Sequence, residues 1–328
     1  MEFLAEYGMF LAKVITLVIA GLALSSGIFA MIRANKGDSS LTSSLQVRHL
    51  NADYDRAAMA IKSVMLPRKA FKAERKQLKS RIKSRGKEDS RSKVFVMDFQ
   101  GDIRASGVAG LREEITALLT IAGPGDEAVL RLESPGGQVP AYGLAAAQLL
   151  RIKDRDIRLT VAVDKMAASG GYMMACVADR ITAAPFAILG SIGVVAQLPN
   201  FNRLLKKKEI DYEQFMAGEH KRTVTLFGEN TDSDRQKFQE EIEEVHTLFK
   251  DFVGTHRPQL DLKAVGTGEY WYGSRALEHK LADELVTSDD YLLRASAESD
   301  LYLLKHTGKK PWFSRLLSQA TQVLSGGR

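Results

Sequence analysis

Residues 128–163 read AVLRLESPGGQVPAYGLAAAQLLRIKDRDIRLTVAV, and this stretch decides the fold of the chain. Two short apolar runs, AVLRL at 128–132 and RLTVAV at 158–163, flank a segment from Pro140 to Ile152 with a helical pattern. A strand, a helix and a second strand in this order form a unit whose strands lie parallel. The stretch therefore predicts an α/β fold with a largely parallel sheet.

The same alternation continues on both sides of this unit. Before it, VFVMDF at 94–99 predicts a strand and residues 107–122 predict a helix. After it come an Ala- and Met-rich helix from about Ser169 to Ala178, the run RITAA, and a Gly-Ser-Ile-Gly-Val turn that leads into another strand. Repeated βα units of this kind indicate one α/β domain.

A long amphipathic helix is predicted over 233–253. Ser233 and Gln236 have the spacing of a capping box at its start. Its apolar side chains, several of them aromatic, recur at helical intervals, so we interpret them as core or subunit-interface residues.

Two glycine-rich loops stand where a strand ends and a helix begins, a place where free backbone N–H groups face a ligand. The first is SPGG at 134–137, and the second contains Ser169 in AASGGY at 167–172. A serine in this setting can act as a nucleophile if a base removes its proton. Both loops also fit structural roles, since SPGG suits a tight turn and Ser169 suits a helix N-cap.

The base that such a serine needs is not evident among the six histidines. His246 lies on the amphipathic helix, and none of the six is in a triad setting. A lysine can serve instead where its surroundings lower its pKa from about 10.4 to about 7. Lys221, which follows YEQFMAGEH, suits this role, but spacing alone does not separate it from other lysines.

Other classes of site lack their sequence signatures. The chain has no HExxH or CxxC metal motif, no GxxxxGK[ST] phosphate loop and no complete GxGxxG after a strand. Its single cysteine, Cys176, excludes a disulfide framework. We therefore expect neither a metal nor a cofactor.

The amino-terminal segment predicts a membrane anchor. Residues 14–32 contain no charged residue, and these 19 residues would form a helix of about 28 Å, enough to span a bilayer. A cleaved signal peptide is the alternative, but Glu2 and Glu6 stand where a basic leader would be expected. We therefore interpret residues 1–35 as a retained anchor.

The segment after the anchor is strongly basic. Residues 36–93 carry 16 lysines and arginines against six acids, whereas the chain as a whole has a net charge of +6. This linker suits anionic lipid headgroups near the anchor, although a solvated spacer helix or a disordered tether fits equally well. Nucleic acid is not expected as a partner, because no interleaved aromatic residues or binding motif accompany the charges. By the positive-inside tendency, these charges place the C-terminal bulk in the cytoplasm.

Five motifs, in this order, resemble the signal peptide peptidase A family of membrane-bound serine peptidases. They are SPGG at 134–137, MAASGGY at 166–172, LGSIGV at 189–194, AGEHKRTVT at 217–225 and EYWYGSRALEHKLADEL at 269–285. The resemblance implies a Clp-protease/crotonase-like fold of repeated βα units, preceded by one N-terminal transmembrane helix. It implies four segments, which are the anchor 1–35, the basic linker 36–93, a serine peptidase domain 94–290 and a C-terminal tail 291–328.

The resemblance also implies roles for individual residues, in a Ser–Lys dyad that uses no histidine. Ser169 matches the nucleophile and Lys221 matches the general base. Gly170 and Gly137 would donate oxyanion-hole N–H groups, with Gly136 as the alternative to Gly137.

Further expectations follow from the same resemblance. Ser191 would be a hydroxyl partner for the lysine, and the residues after it would form an edge to which an extended peptide adds as a strand. Because the chain has one copy of a catalytic region that longer family members carry twice, we expect a homo-oligomer. The dyad would then form either within one chain or between chains. The substrates would be extended apolar peptides, such as signal-peptide remnants or misfolded membrane proteins.

The implied location is a bacterial-type cell inner membrane. The family places its catalytic domain outside the cytoplasm, whereas the charge of the linker favours the inside, so both faces remain open. Two other functions also fit the residues. One is a crotonase-type acyl-thioester enzyme, which would not need Ser169 as a nucleophile, and the other is a membrane-tethered scaffold that binds peptides without cutting them. In the tail, RLLSQATQVL at 315–324 suits either an interfacial amphipathic helix or a plain surface helix.

Overall fold

A seven-stranded sheet forms the centre of the computed structural model, which describes residue 16 and residues 45–85, 91–218 and 221–307. From one edge to the other its strands are β1 (Leu45–His49), β10 (Asp300–His306), β2 (Lys93–Gln100), β3 (Glu127–Glu133), β4 (Arg158–Val163), β6 (Arg180–Ala183) and β9 (Glu284–Leu285). All neighbours from β10 to β9 pair in parallel. The predicted α/β class with a largely parallel sheet is confirmed.

The central strands are buried on both faces, as expected for a parallel sheet covered by helices. Residues 94–97 of β2 and 159–163 of β4 are buried without interruption. Gln100 pairs with Glu133 at the ends of β2 and β3. The carboxyl ends of these strands therefore share one edge, which is where ligand sites form in sheets of this type.

A second, three-stranded sheet contains β5 (Met166–Ala168), β7 (Ile188–Gly190) and β8 (Tyr270–Tyr272). Ser134 joins it through a bridge to Ala167. Its N–H donates to the Met166 carbonyl at 2.8 Å, and its carbonyl accepts from the Ala168 N–H at 3.0 Å. The SPGG loop is thereby attached to the strand that leads to Ser169.

The helices lie close to the predicted ranges. They are α1 (Leu50–Met65), α2 (Arg68–Arg85), α3 (Val108–Leu118), α4 (Val139–Lys153), α5 (Gly170–Ala175), α6 (Asn202–Lys207), α7 (Asp232–His256), α8 (Leu262–Val265), α9 (Gly273–Glu278) and α10 (Ser288–Ala295). The helices predicted over 107–122, Pro140–Ile152 and 233–253 correspond to α3, α4 and α7. The helix predicted from Ser169 is shorter, because it ends at Ala175.

The predicted cap of α7 is wrong by two residues. The N-cap is Thr231, whose side chain accepts from the Asp234 N–H, while the Asp234 side chain accepts from the Thr231 N–H at 2.9 Å. An aspartate in the third helical position completes the box, so Ser233 and Gln236 lie inside the helix instead.

The strand predicted after Gly193 is also wrong. The strand at this place precedes the turn, as β7, and residues 191–201 have no ladder partner within the described part of the chain. A strand needs a neighbour to satisfy its backbone groups, and β7 already pairs with β5 on one side and β8 on the other. Among the described residues, the backbone after Gly193 therefore adds no strand to either sheet.

Both ends of the described chain contribute to the folded body. Asn51 of α1 is buried, and its side-chain amide donates to the carbonyls of Ser296 and Ser299 at 3.0 Å each. The Leu301 N–H donates to the Asn51 side chain at 2.7 Å. Strand β10 lies past residue 290, so the central sheet includes part of the sequence assigned to the C-terminal tail.

Two predicted segments lie outside the described residues. These are the anchor at 14–32, apart from Thr16, and the C-terminal helix at 315–324. In the part of the chain that the structure describes, no helix is both long enough and apolar enough to cross a membrane.

Glu114 on α3 is a buried carboxyl group next to β10. Its Oε1 accepts a hydrogen bond from the His306 N–H at 2.6 Å, while its Oε2 is buried with no partner among the described residues. Burial raises the pKa of Glu114 to about 7. Because this pKa lies above that of an unfolded glutamate, ionisation favours the unfolded chain, and stability falls as the pH rises from about 4.5 through 7.

Replacing Glu114 with glutamine is expected to remove this loss, because a neutral amide still accepts from His306 without carrying a charge. The variant should be more stable than wild type at pH 8 by about 3 kcal/mol and should match it near pH 4.5. Thermal unfolding at both pH values measures the difference. An equal pH dependence in the two proteins would contradict the assignment.

Candidate active site

Loops at the carboxyl ends of the strands enclose a cavity of about 790 Å³. Five of the six predicted site residues line it, namely Gly136, Gly137, Ser169, Gly170 and Ser191. Much of the remaining wall is apolar and includes Ile103, Val139, Met173, Val195, Val245 and Phe249. The fold thus brings together two glycine loops that are separate in the sequence.

Ser169 occupies a sharp turn between β5 and α5. Its φ of 51° and ψ of −120° form a backbone conformation that residues other than glycine seldom adopt. The Ser169 N–H donates to the Gly190 carbonyl at 2.8 Å, which holds the turn. Its side chain makes no N-cap hydrogen bond, so the structural alternative considered for this serine is not realised. Strain imposed by the surrounding fold in this way is common at active sites.

Gly136 packs directly against Ser169. Its φ is +88°, and a Cβ at this position would lie 2.7 Å from both the Gly170 nitrogen and the Ser169 Cβ. The Gly136 N–H donates to Ser134 Oγ at 3.1 Å. The Gly137 N–H, by contrast, has no hydrogen-bond partner among the described residues. Of these two glycines, Gly137 is therefore the one with a free donor at the cavity.

Replacing Gly136 with alanine is expected to lower kcat by about 100-fold, because the new methyl group must displace the Ser169 turn. Gly125 provides a matched control, since its φ is +95° and a Cβ there would meet nothing within 4 Å. Both substitutions strain the backbone at positive φ, at about 1 kcal/mol, but only the first disturbs the serine. Steady-state kinetics and thermal unfolding of both variants make the comparison, and equal kcat values would contradict it.

Sequence reasoning missed a buried pair of hydroxyl groups beneath the SPGG loop. Ser134 Oγ lies 2.6 Å from the Tyr142 hydroxyl, which donates to the Asp102 carbonyl at 2.8 Å. Because the Tyr142 hydroxyl donates to the Asp102 carbonyl oxygen, Ser134 Oγ donates to the Tyr142 oxygen and accepts from the Gly136 N–H. Burial raises the pKa of Tyr142, so the phenol remains a donor. A tyrosine on the buried face of α4 needs a hydrogen-bond partner for its hydroxyl, so Tyr142 was the residue from which this pair could have been predicted.

Ser191 is the second serine in the cavity wall with a positive φ, of 52°. Its N–H donates to the Glu269 carbonyl at 2.6 Å, which connects the turn to the segment that forms β8. His246 Nε2 lies 3.1 Å from the Ile192 carbonyl oxygen. This histidine therefore attaches α7 to the turn, a structural role.

Lys221, the sixth predicted residue, is not part of the cavity wall in the single chain. It is exposed, and its N–H donates to the Gly218 carbonyl at 3.2 Å. Glu219 and His220 lie outside the described residues. The segment between α6 and α7 also exposes large apolar side chains, namely Ile210, Tyr212, Phe215, Met216, Leu226 and Phe227.

No cluster of three or more His, Cys, Asp or Glu side chains within the described ranges could hold a metal ion. Cys176, the one cysteine, is fully buried, and its Sγ lies 3.2 Å from the Met173 carbonyl oxygen. Burial raises the pKa of its thiol, so this sulfur is a packing group and not a nucleophile.

Comparison with known proteins gives two matching family models. The model described as Peptidase family S49 N-terminal matches residues 2–149, and the model described as Peptidase family S49 matches residues 151–302. "Probable protease SohB" of Haemophilus influenzae is 44% identical over 334 residues, which cover 98% of this chain and 94% of that protein. The protein of the same name from Buchnera aphidicola subsp. Acyrthosiphon pisum is 44% identical over 329 residues, covering 99% of this chain and 96% of that protein.

Among solved structures, a membrane-bound stomatin-specific protease in complex with a substrate peptide shows a distant likeness. The match covers 71% of this chain and 99% of that chain, with 15% identity and a TM-score of 0.41. A likeness of this size is too remote to inform the function.

Proposed function

The chain belongs to peptidase family S49 and is a serine-type peptidase, and from this premise we propose that it is a membrane-anchored endopeptidase with a Ser169–Lys221 dyad. The observation that carries the proposal is that Ser169, on a strained turn, shares one cavity with both glycine loops. Lys221 Nζ takes the proton of Ser169 Oγ while Oγ bonds to the substrate carbonyl carbon. The lysine then protonates the leaving amine, and water hydrolyses the remaining ester with the lysine again as base.

The oxyanion hole is assigned to the N–H groups of Gly137 and Gly170. The Gly136 N–H is already bonded to Ser134, whereas Gly137 keeps its N–H unpaired beside the cavity. Gly170 follows the nucleophile directly, which is where a donor meets an oxygen developing on the attacked carbon. The buried Ser134–Tyr142 pair supports this arrangement by fixing the loop that carries Gly137.

The general base needs a surface that removes water from it, because a solvated lysine keeps its proton. Lys221 is exposed in the single chain, and so are apolar side chains of the same segment between α6 and α7, among them Phe215 at 89% exposure. A second copy of the chain packed on this segment would bury both. We therefore assign a homo-oligomer as the active form, with Ser191 as a hydroxyl partner for the lysine.

Extended apolar peptides suit the cavity as substrates. Its wall is rich in apolar side chains, and Val194 and Val195 extend from it along a backbone that lacks a ladder partner. A peptide added beside residues 194–198 would satisfy those backbone groups and place its scissile bond near Ser169. Signal-peptide remnants and misfolded membrane proteins supply extended apolar segments of this kind.

The wider assignment combines a Clp-protease/crotonase-like fold with an N-terminal anchor in a bacterial-type inner membrane. It is supported by the parallel sheet with its site at the carboxyl ends of the strands, and by the uncharged run at 14–32. A topology reporter fused after Arg328 distinguishes the two faces of the membrane.

Covalent labelling by a serine-reactive phosphonate, together with hydrolysis of casein, tests the proposal. Wild type should be labelled at Ser169 and should release peptides, and Ser169→Ala should do neither. A crotonase-type enzyme would resist the label, because its chemistry does not use a nucleophilic serine.

A further inference from the structure

Helices α1 and α2 form a hairpin, Leu50–Arg85, and among the described residues the buried residues of α1, Leu50 and Asn51, lie at one end of it. Ion pairs join the two helices, one between Lys62 and Glu74 and one between Arg81 and Asp55, the latter at 3.0 Å. Asn51, in the first turn of α1, is buried against β10 and the loop before it. Because α1 has 16 residues, its other end lies about 20 Å from this attachment.

The free end of the hairpin, which we name the hairpin tip (Ile61–Lys72), combines apolar and basic side chains. Val64 is 88% exposed, Met65 is 73% exposed and Ile61 is 62% exposed. Helix α2 follows at once with nine lysines and arginines and one acid, Glu74, which is already paired. Large aliphatic side chains so exposed, beside so much positive charge, require a partner that offers both an apolar interior and negative charge.

We propose that the hairpin tip docks on an anionic lipid bilayer, with Val64 and Met65 inserted below the headgroups and the α2 cations bonded to lipid phosphates. This inference rests on the proposed anchor. The 13 residues from 32 to 45 can span at most about 45 Å, so an anchored chain could not move the hairpin farther from the bilayer than that. A second copy of the chain fits the tip poorly, since two such helices repel each other. Single-stranded nucleic acid would favour aromatic side chains for stacking, and the exposed ones here are aliphatic.

Full-length protein reconstituted in vesicles provides the test. A single cysteine introduced as Met65→Cys is labelled with an environment-sensitive fluorophore, and the native Cys176 is too buried to react. The matched control is Ser80→Cys, at an exposed position of α2 about 20 Å along the helix from its start at the hairpin tip. Quenching by lipids brominated in their acyl chains is measured in phosphatidylcholine vesicles with and without phosphatidylglycerol.

The expected result is quenching at position 65 at least five-fold stronger than at position 80, and only with phosphatidylglycerol present. Exchanging Arg68, Lys69 and Lys72 for glutamate should abolish it while hydrolysis of a soluble peptide is unchanged. Equal quenching at the two positions, or a fluorophore that responds to RNA and not to vesicles, overturns the inference. If the protein co-floats with the vesicles in a density gradient but position 65 is not quenched, the docking of the hairpin tip is contradicted and the membrane anchor is supported. If the protein does not co-float with either lipid mixture, both the docking and the anchor are contradicted.

Discussion

Ser169→Ala is expected to reduce the hydrolysis of casein or of a signal-peptide substrate by about 10⁴-fold or more, the loss typical of removing a serine nucleophile. The reason is geometric, because Ser169 stands on a strained turn in the cavity wall with the Gly170 N–H beside it. The fold should persist, since the Ser169 side chain makes no cap hydrogen bond that alanine would lose. Alanine retains the positive φ that serine already adopts, so the backbone strain is the same in both proteins and stability should change little.

Ser191→Ala is the matched control, since it removes a second cavity hydroxyl from a residue of similar φ. This variant should keep measurable turnover, because its hydroxyl is assigned to support the lysine and not to attack the substrate. Unchanged hydrolysis by Ser169→Ala would eliminate the nucleophile assignment. Equal peptide binding by wild type and Ser169→Ala, with no product from either, would instead indicate a scaffold that binds peptides without cutting them.

The sequence predicts the central strands well because both of their faces are buried. A run such as VFVMDF or RLTVAV is mostly apolar, and such a run is typical of a parallel strand that is covered on both faces. Strand β10 was not predicted, although it pairs with β2 from Asp300 onward. Its sequence, DLYLLKH, mixes polar and apolar residues, and its place beside β2 depends on contacts more than 200 positions apart in the chain.

The candidate site was predictable in its loops and not in its contacts. Glycine pairs beside a serine at strand-to-helix junctions indicate SPGG and the Ser169 turn. No local pattern reveals that the Gly136 N–H is used by Ser134, which leaves Gly137 as the free donor. The prediction of a strand after Gly193 was wrong for the same reason. Whether a backbone segment pairs with a neighbouring strand is decided by elements distant in sequence.

Lys221→Met is expected to lower kcat at neutral pH by about 10³-fold or more, since methionine keeps much of the volume of the side chain but cannot accept a proton. Labelling of Ser169 by the phosphonate should slow in parallel, because the same base activates the serine for both reactions. Arg222→Met, at the next exposed position, is the matched control and should retain wild-type turnover. Retained turnover by Lys221→Met at neutral pH would eliminate the lysine as the base.

Mixing the two inactive variants locates the dyad. In an assembly of Ser169→Ala and Lys221→Met chains, a dyad within one chain leaves every site without its serine or its lysine, so no activity returns. A dyad between chains restores a fraction of the sites, because an intact serine then meets an intact lysine of its neighbour. The exposure of Lys221 and its absence from the cavity wall of the single chain make this the decisive comparison. Size-exclusion chromatography must first show that both variants still assemble, because activity through a shared site requires contact between the chains.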